Sequence, residues 1–242
     1  MQKATNTPPL YERIQKLQMQ LLTTDIFAKG SLCDEFLALI GEVDENKPEG
    51  KAELMSFIIP HLIDLGRNDD VLKMVDYLLS QKNYRFHLNA IFARSEMAKR
   101  ANDWNLYVKI FEEGIAIAEK NNDSVALSEG YVLRAKGLMM LEKHSEALDD
   151  LNRCIPIAES VHNYNLVAVA KYYIGVALWS IDCDNLAMEK FREASDLACE
   201  QKSSDIIRHT EAARALFLLK KGEAKAAEGV LETWYEQFGR ML

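Results

Sequence analysis

Cysteine, glycine and proline are scarce: four, 11 and five residues among 242. Cys33, Cys154, Cys183 and Cys199 are scattered with no C-x-x-C pair, which reads as free thiols in a reducing compartment and excludes a disulfide scaffold. So few glycines and prolines leave too few turn signals for a sandwich or barrel of many hairpins. Long apolar runs are also missing. Stretches such as Phe57-Ile58-Ile59 fall far short of the roughly 20 residues of a membrane-spanning helix. Residues 1–11 are polar and carry no apolar signal-peptide core, so a cytoplasmic protein that avoids membranes is expected. An excess of positive charge is lacking as well: 29 Lys and Arg stand against 37 Asp and Glu, a net charge of −8. That argues against nucleic acid as the main ligand, because phosphate contacts need clustered Lys and Arg.

Catalytic motifs are absent too. His61, His87, His144, His162 and His209 are far apart and show no H-E-x-x-H or paired metal spacing. No G-x-x-x-x-G-K-[ST], G-x-G-x-x-G or G-x-S-x-G occurs, so phosphate loops and nucleophile elbows have no candidate. Cys154 sits in a column of small residues and reads as core. Cys183 lies between Asp182 and Asp184, whose charges disfavour a thiolate. The acidic pairs Asp149-Asp150 and Glu112-Glu113 fall opposite the apolar columns and read as solvated surface. The expectation is a non-enzyme with no cofactor and no metal. An all-α enzyme with an unrecognised site is the distant alternative.

What the sequence does contain is a ladder at a spacing of 40. Phe111, Leu151, Phe191 and Leu231 fall in register, as do Gly114, Cys154, Ala194 and Trp234, and Tyr107, Ala147, Ala187 and Ala227. Ser95, Ala135, Gly175 and Ala215 form a further set, followed three residues later by Ala98, Leu138, Leu178 and Leu218. Within each unit apolar residues recur at three and four, the spacing of one helix face. Polar breaks such as Ala101-Asn102-Asp103, Asp182-Cys183-Asp184-Asn185 and Lys220-Lys221-Gly222-Glu223 stop one helix and start the next. Each unit is therefore two antiparallel helices of roughly 16–19 residues joined by a tight turn. Small residues let the paired helices approach closely, while Phe or Leu fills the adjacent gap. Pro60 and Pro156 fall inside expected helices and predict a kink or break in each. The whole chain is read as one helical-repeat domain, 1–242. Its hairpins are expected near 9–44, 49–82, 84–121, 124–161, 164–201 and 204–240, about twelve helices in all.

The run Ala135-x-Gly137-Leu138-x-x-Leu141, continued by Ala147-Leu148-x-x-Leu151-x-x-Cys154-Ile155, resembles the tetratricopeptide repeat. Gly175, Ala177, Leu178, Ala187, Phe191 and Ala194 match that pattern best. Tyr107 departs from it, standing where Ala is usual, which predicts a slightly opened hairpin. The 40-residue unit is longer than the family's usual 34, and resembles the repeats of bacterial regulators that sense peptides or protein partners. The resemblance implies an all-α, right-handed superhelical solenoid whose first helix in each pair lines a concave groove.

Carried over position by position, that groove comprises Phe92, Glu96, Lys99 and Arg100, then Val132, Lys136, Met139 and Met140. It continues with Tyr172, Val176, Trp179 and Ser180, and ends with Ala212, Leu216, Leu219 and Lys220. Its apolar centre suits adaptable recognition of an amphipathic helix or extended peptide. The alternative is that longer helices bury part of this set as core. A rival function is a scaffold that binds through its outer helices or its last hairpin. There Trp234 continues a column of small residues, and Trp234, Tyr235 and Phe238 form either a plug or a contact for a partner or a homodimer.

Overall fold

The computed structural model describes residues 9–44 and 48–238, without the side chains of residue 27 and residues 236–238. Among the described residues there are twelve α-helices, one short 3-10 turn and no strand. No helix is long and apolar enough to cross a membrane. The chain divides into two compact units, Met1–Asp103 and Trp104–Leu242.

The first unit holds α1 (Leu10–Thr23), α2 (Lys29–Glu42), α3 (Pro48–Asp64), α4 (Asn68–Leu79) and α5 (Tyr84–Arg100). Its core stacks Leu17, Leu21, Phe36, Leu39, Ile58 and Leu62 with Leu78 and Ala90. Helix α3 runs through Pro60 without ending there, because that residue is exposed on the solvent side.

The second unit holds α6 (Trp104–Lys120), α7 (Ser124–Met140), α8 (His144–Ser160), α9 (Tyr164–Ser180), α10 (Asp184–Glu200), α11 (Ser204–Lys220) and α12 (Ala224–Phe238). Consecutive helices pack on one another, and α9 also touches both α7 and α11. Helix α8 continues through the exposed Pro156, so neither proline breaks its helix.

The helices stop on a fixed rhythm. Asn102, Asn122, Glu142, His162, Asp182 and Lys202 each have φ between 53° and 60°, and Gly222 has φ 80°, one left-handed residue every 20. After each, the next amide closes the turn on the carbonyl five residues back: Lys143 to Leu138, Asn163 to Ala158 and Ser203 to Ala198, all at 2.9 Å. This is the Schellman closure, which satisfies carbonyls left over at a helix end. Asp123 and Asn163 then cap the next helices by accepting from the amides of Ala126 and Leu166.

Between the helices of the second unit the small columns set the spacing. Ala135, Ala147, Ala187, Cys154 and Ala194 have no exposed surface, and Leu151 and Phe191 fill the gaps beside them. A Cβ on Gly175 would stand 2.7 Å from Phe191 Cδ1, so only glycine permits this approach. One polar tie crosses α7 and α8 and corrects the reading of Asp150 as solvated surface: Arg134 Nε and Nη2 donate to the two carboxylate oxygens of the buried Asp150 at 2.7 and 2.6 Å.

Candidate functional site

In the second unit the first helices of successive pairs, α7, α9 and α11, bring one set of the sequence-selected residues onto adjoining positions. Met140, Leu216 and Leu219 are 54%, 57% and 51% exposed. Lys136, Met139, Tyr172, Val176 and Trp179 are half-buried, and Ser180, Ala212 and Lys220 are exposed. Val132 is a correction. It is 3% exposed and packs in the cluster of Ala135, Val167 and Ala170. A short branched side chain stays between the helices, whereas Tyr172, in the same column, projects far enough to remain partly open.

The aromatic centre of this face rests on core. Tyr172, Val176 and Trp179 pack over Ala187, Phe191 and Ala213. The Trp179 ring meets Phe217 edge-on at 5.9 Å and Phe191 at 6.4 Å and 90°, the arrangement aromatic pairs favour. Lys220 Nζ sits 5.7 Å from the centre of the same ring. The Trp179 indole N–H is buried with no acceptor among the described residues. Anchored from beneath in this way, the ring is held rigid, with Leu216 and Leu219 exposed on the next helix.

Three residues missed at the sequence level adjoin this set: Glu129 on α7 and His209 on α11, each one turn earlier along its helix, and Tyr173 on α9, whose ring is 5.2 Å from that of Tyr172. Glu129 and His209 lie six residues before Ala135 and Ala215, so extending the small-residue register by one turn finds both. Solvent reaches Glu129, yet crowding by protein pushes its carboxyl up, and the charge of Asp123 adds to the shift. Burial raises the Tyr172 and Tyr173 hydroxyls, so both rings stay neutral. The His209 ring stands edge-on to Tyr172 at 6.2 Å, and its Nδ1 bonds the Asp205 carbonyl at 2.6 Å. Phe92, Lys99 and Arg100 lie on α5, in the first unit. Phe92 is exposed there, Lys99 donates to Glu96 at 2.6 Å and Arg100 to Asp64 at 2.6 Å.

At the last helix Trp234 turns inward and packs against Ala198, Ile206 and Ile207. Leu231 and Tyr235 remain 44% and 66% exposed beside an open cleft of about 910 Å³. The Phe238 side chain lies outside the described residues. Among the described residues no group of His, Cys, Asp and Glu is placed to hold a metal ion. Burial pushes the Cys154 thiol up to about 12, which leaves it protonated.

No protein-family profile matches the chain, and no curated protein matches it. Solved structures do. The apo form of RapI superposes with a TM-score of 0.70 at 12% identity, over 94% of this chain and 96% of that one. Aspartyl phosphate phosphatase F from Bacillus subtilis gives 0.71 at 15% identity, over 100% of this chain and 66% of that one. The Rap conjugation gene regulator of the plasmid pLS20, solved with the Phr* peptide, gives 0.64 at 13%, over 97% and 76%. With the 40-residue ladder and the paired helices, these likenesses give the chain a helical-repeat solenoid fold of the tetratricopeptide type.

Proposed function

We propose that this chain is a non-catalytic cytoplasmic regulator or adaptor. Its α7–α9–α11 face binds a peptide segment of a partner, extended or helical, through large apolar side chains. The observation that carries this is the exposure of Met140, Leu216 and Leu219 around a Trp179 ring fixed from below. Contiguous apolar surface of this kind is uncommon on a soluble protein unless something docks there. Rigid aromatic anchors beside flexible methionine suit a pocket that adapts to its ligand. The likeness to a regulator solved with a bound peptide supports the same reading. Lys136 and Lys220 flank the apolar centre and favour a segment with acidic residues beside its anchors. Peptides selected from a random display library against the purified chain test the proposal: they should be rich in apolar residues and lose binding to Leu216→Glu. A second reading, a homodimer through the last helix pair, has the exposed Leu231 and Tyr235 behind it.

A further inference from the structure

We infer that the α7–α9–α11 face takes a segment of about seven residues in the polyproline II conformation, with an acidic side chain on Lys136 and apolar ones about three and six residues further along. The inference rests on the peptide-site reading and adds the conformation of the segment, its spacing and the residue that selects its charge. Lys136, Val176 and Leu216 are equivalent positions one repeat apart on α7, α9 and α11. Helix α9 packs directly against both neighbours, so the three side chains follow one another at about 8–10 Å, the usual distance between packed helix axes. Val176 and Leu216 are apolar. The third member is a cation: Lys136 is half-buried and has no ion-pair partner among the described residues. Lys220, at the other border, already has Asp182 at 3.9 Å. A partly desolvated ammonium group with no partner is best matched by a carboxylate of the ligand.

The width of the open strip selects the conformation. It runs from Lys136, Val176 and Leu216 to Met140, Ser180 and Lys220, just over one helical turn or about 6 Å along the helix axes. On its other side Val132 is buried and Ala212 is short, which leaves the half-buried Tyr172 ring as its wall. A helix is about 10–12 Å across with its side chains and overhangs such a strip. In a β-strand, residues three apart face opposite ways. Polyproline II has about three residues per turn and rises about 3.1 Å at each, so every third residue returns to one face after about 9 Å, the spacing of the row. Aromatic walls such as Tyr172 suit that conformation.

Selections from a random peptide display library, run in parallel on the full wild-type chain and on Lys136→Glu, test the inference. Wild type should return peptides with Asp or Glu about three residues from one apolar anchor and six from a second. Neutralising that acid in the synthetic peptide, Asp to Asn or Glu to Gln, should weaken binding about tenfold or more, and raised salt should narrow the difference. Lys136→Glu should return peptides with Lys or Arg at the same place and the same apolar spacing, with unchanged circular dichroism. If that variant unfolds, the neutralised peptide on wild type decides alone. Binders to the two chains that share one charge there, or apolar anchors about seven residues apart as a helix would set them, overturn the inference. The peptide-site reading then stands as long as the binders are lost on Leu216→Glu. Peptides indifferent to Leu216→Glu, or none retained at about 100 μM, remove both.

Discussion

The Tyr107 ring occupies the space that a side chain on residue 137 would need: a Cβ there would lie 2.7 Å from Tyr107 Cδ1 and 2.9 Å from Val108 Cγ2. Tyr107 is 1% exposed, so the bulky ring in the Ala147 and Ala187 column is accommodated between α6 and α7. The glycine opposite makes the room. Gly137→Ala should therefore destabilise by about 1–3 kcal/mol despite the better helix propensity of alanine. Thermal unfolding measures it, and the cost should shrink when Tyr107→Leu is combined with it.

The left-handed turn residues carry a removable strain. Glu142 and Lys202 hold φ 60° and 57°, a conformation that costs a residue with a Cβ about 1–2 kcal/mol and glycine almost nothing. Replacing either with Gly should raise stability, by up to about 1 kcal/mol after the extra freedom glycine brings to the unfolded chain. The two gains should add, because the sites are far apart in sequence and share no partner. Chemical denaturation of the single and double variants checks both statements.

The Arg134–Asp150 pair is the third test. Asp150 is 3% exposed and receives two charge-assisted hydrogen bonds, so Asp150→Ala leaves a guanidinium with its partner gone. The expected loss is about 3–5 kcal/mol. Replacing the pair together, Arg134→Met with Asp150→Leu, should recover most of it, and a double-mutant cycle by denaturation gives the coupling.

The 40-residue ladder was legible because close helix packing demands Ala, Gly or Cys at fixed points, and Ala135, Gly175, Ala187 and Ala194 betray it. The 20-residue rhythm of turns was legible as polar breaks and hairpin bounds, but which residue in each turn is left-handed was not. Its seven sites carry Asn, Asn, Glu, His, Asp, Lys and Gly, and the chain is held left-handed there by backbone hydrogen bonds that no shared side chain announces. The binding face was legible as columns, but burial within a column was not. Val132 is buried, Tyr172 half-buried and Ala212 exposed at equivalent positions, because cover depends on the bulk of the neighbouring pair. Trp234 was left open between plug and contact. Its ring turns inward, since Ala198 and Ile207 leave an apolar recess for it, while Tyr235 points out.

Binding at the α7–α9–α11 face is decided most directly by the affinity of display-selected peptides, measured by fluorescence anisotropy. Wild type, Trp179→Ala and Leu216→Glu are compared, with melting temperatures recorded alongside. An anchoring ring is worth about 2 kcal/mol or more, so Trp179→Ala should weaken binding at least about 30-fold. Leu216→Glu, at an exposed position, should abolish binding while the melting temperature stays within error. Peptides that bind both variants as tightly as wild type, with all three proteins folded, would contradict a binding role for this face.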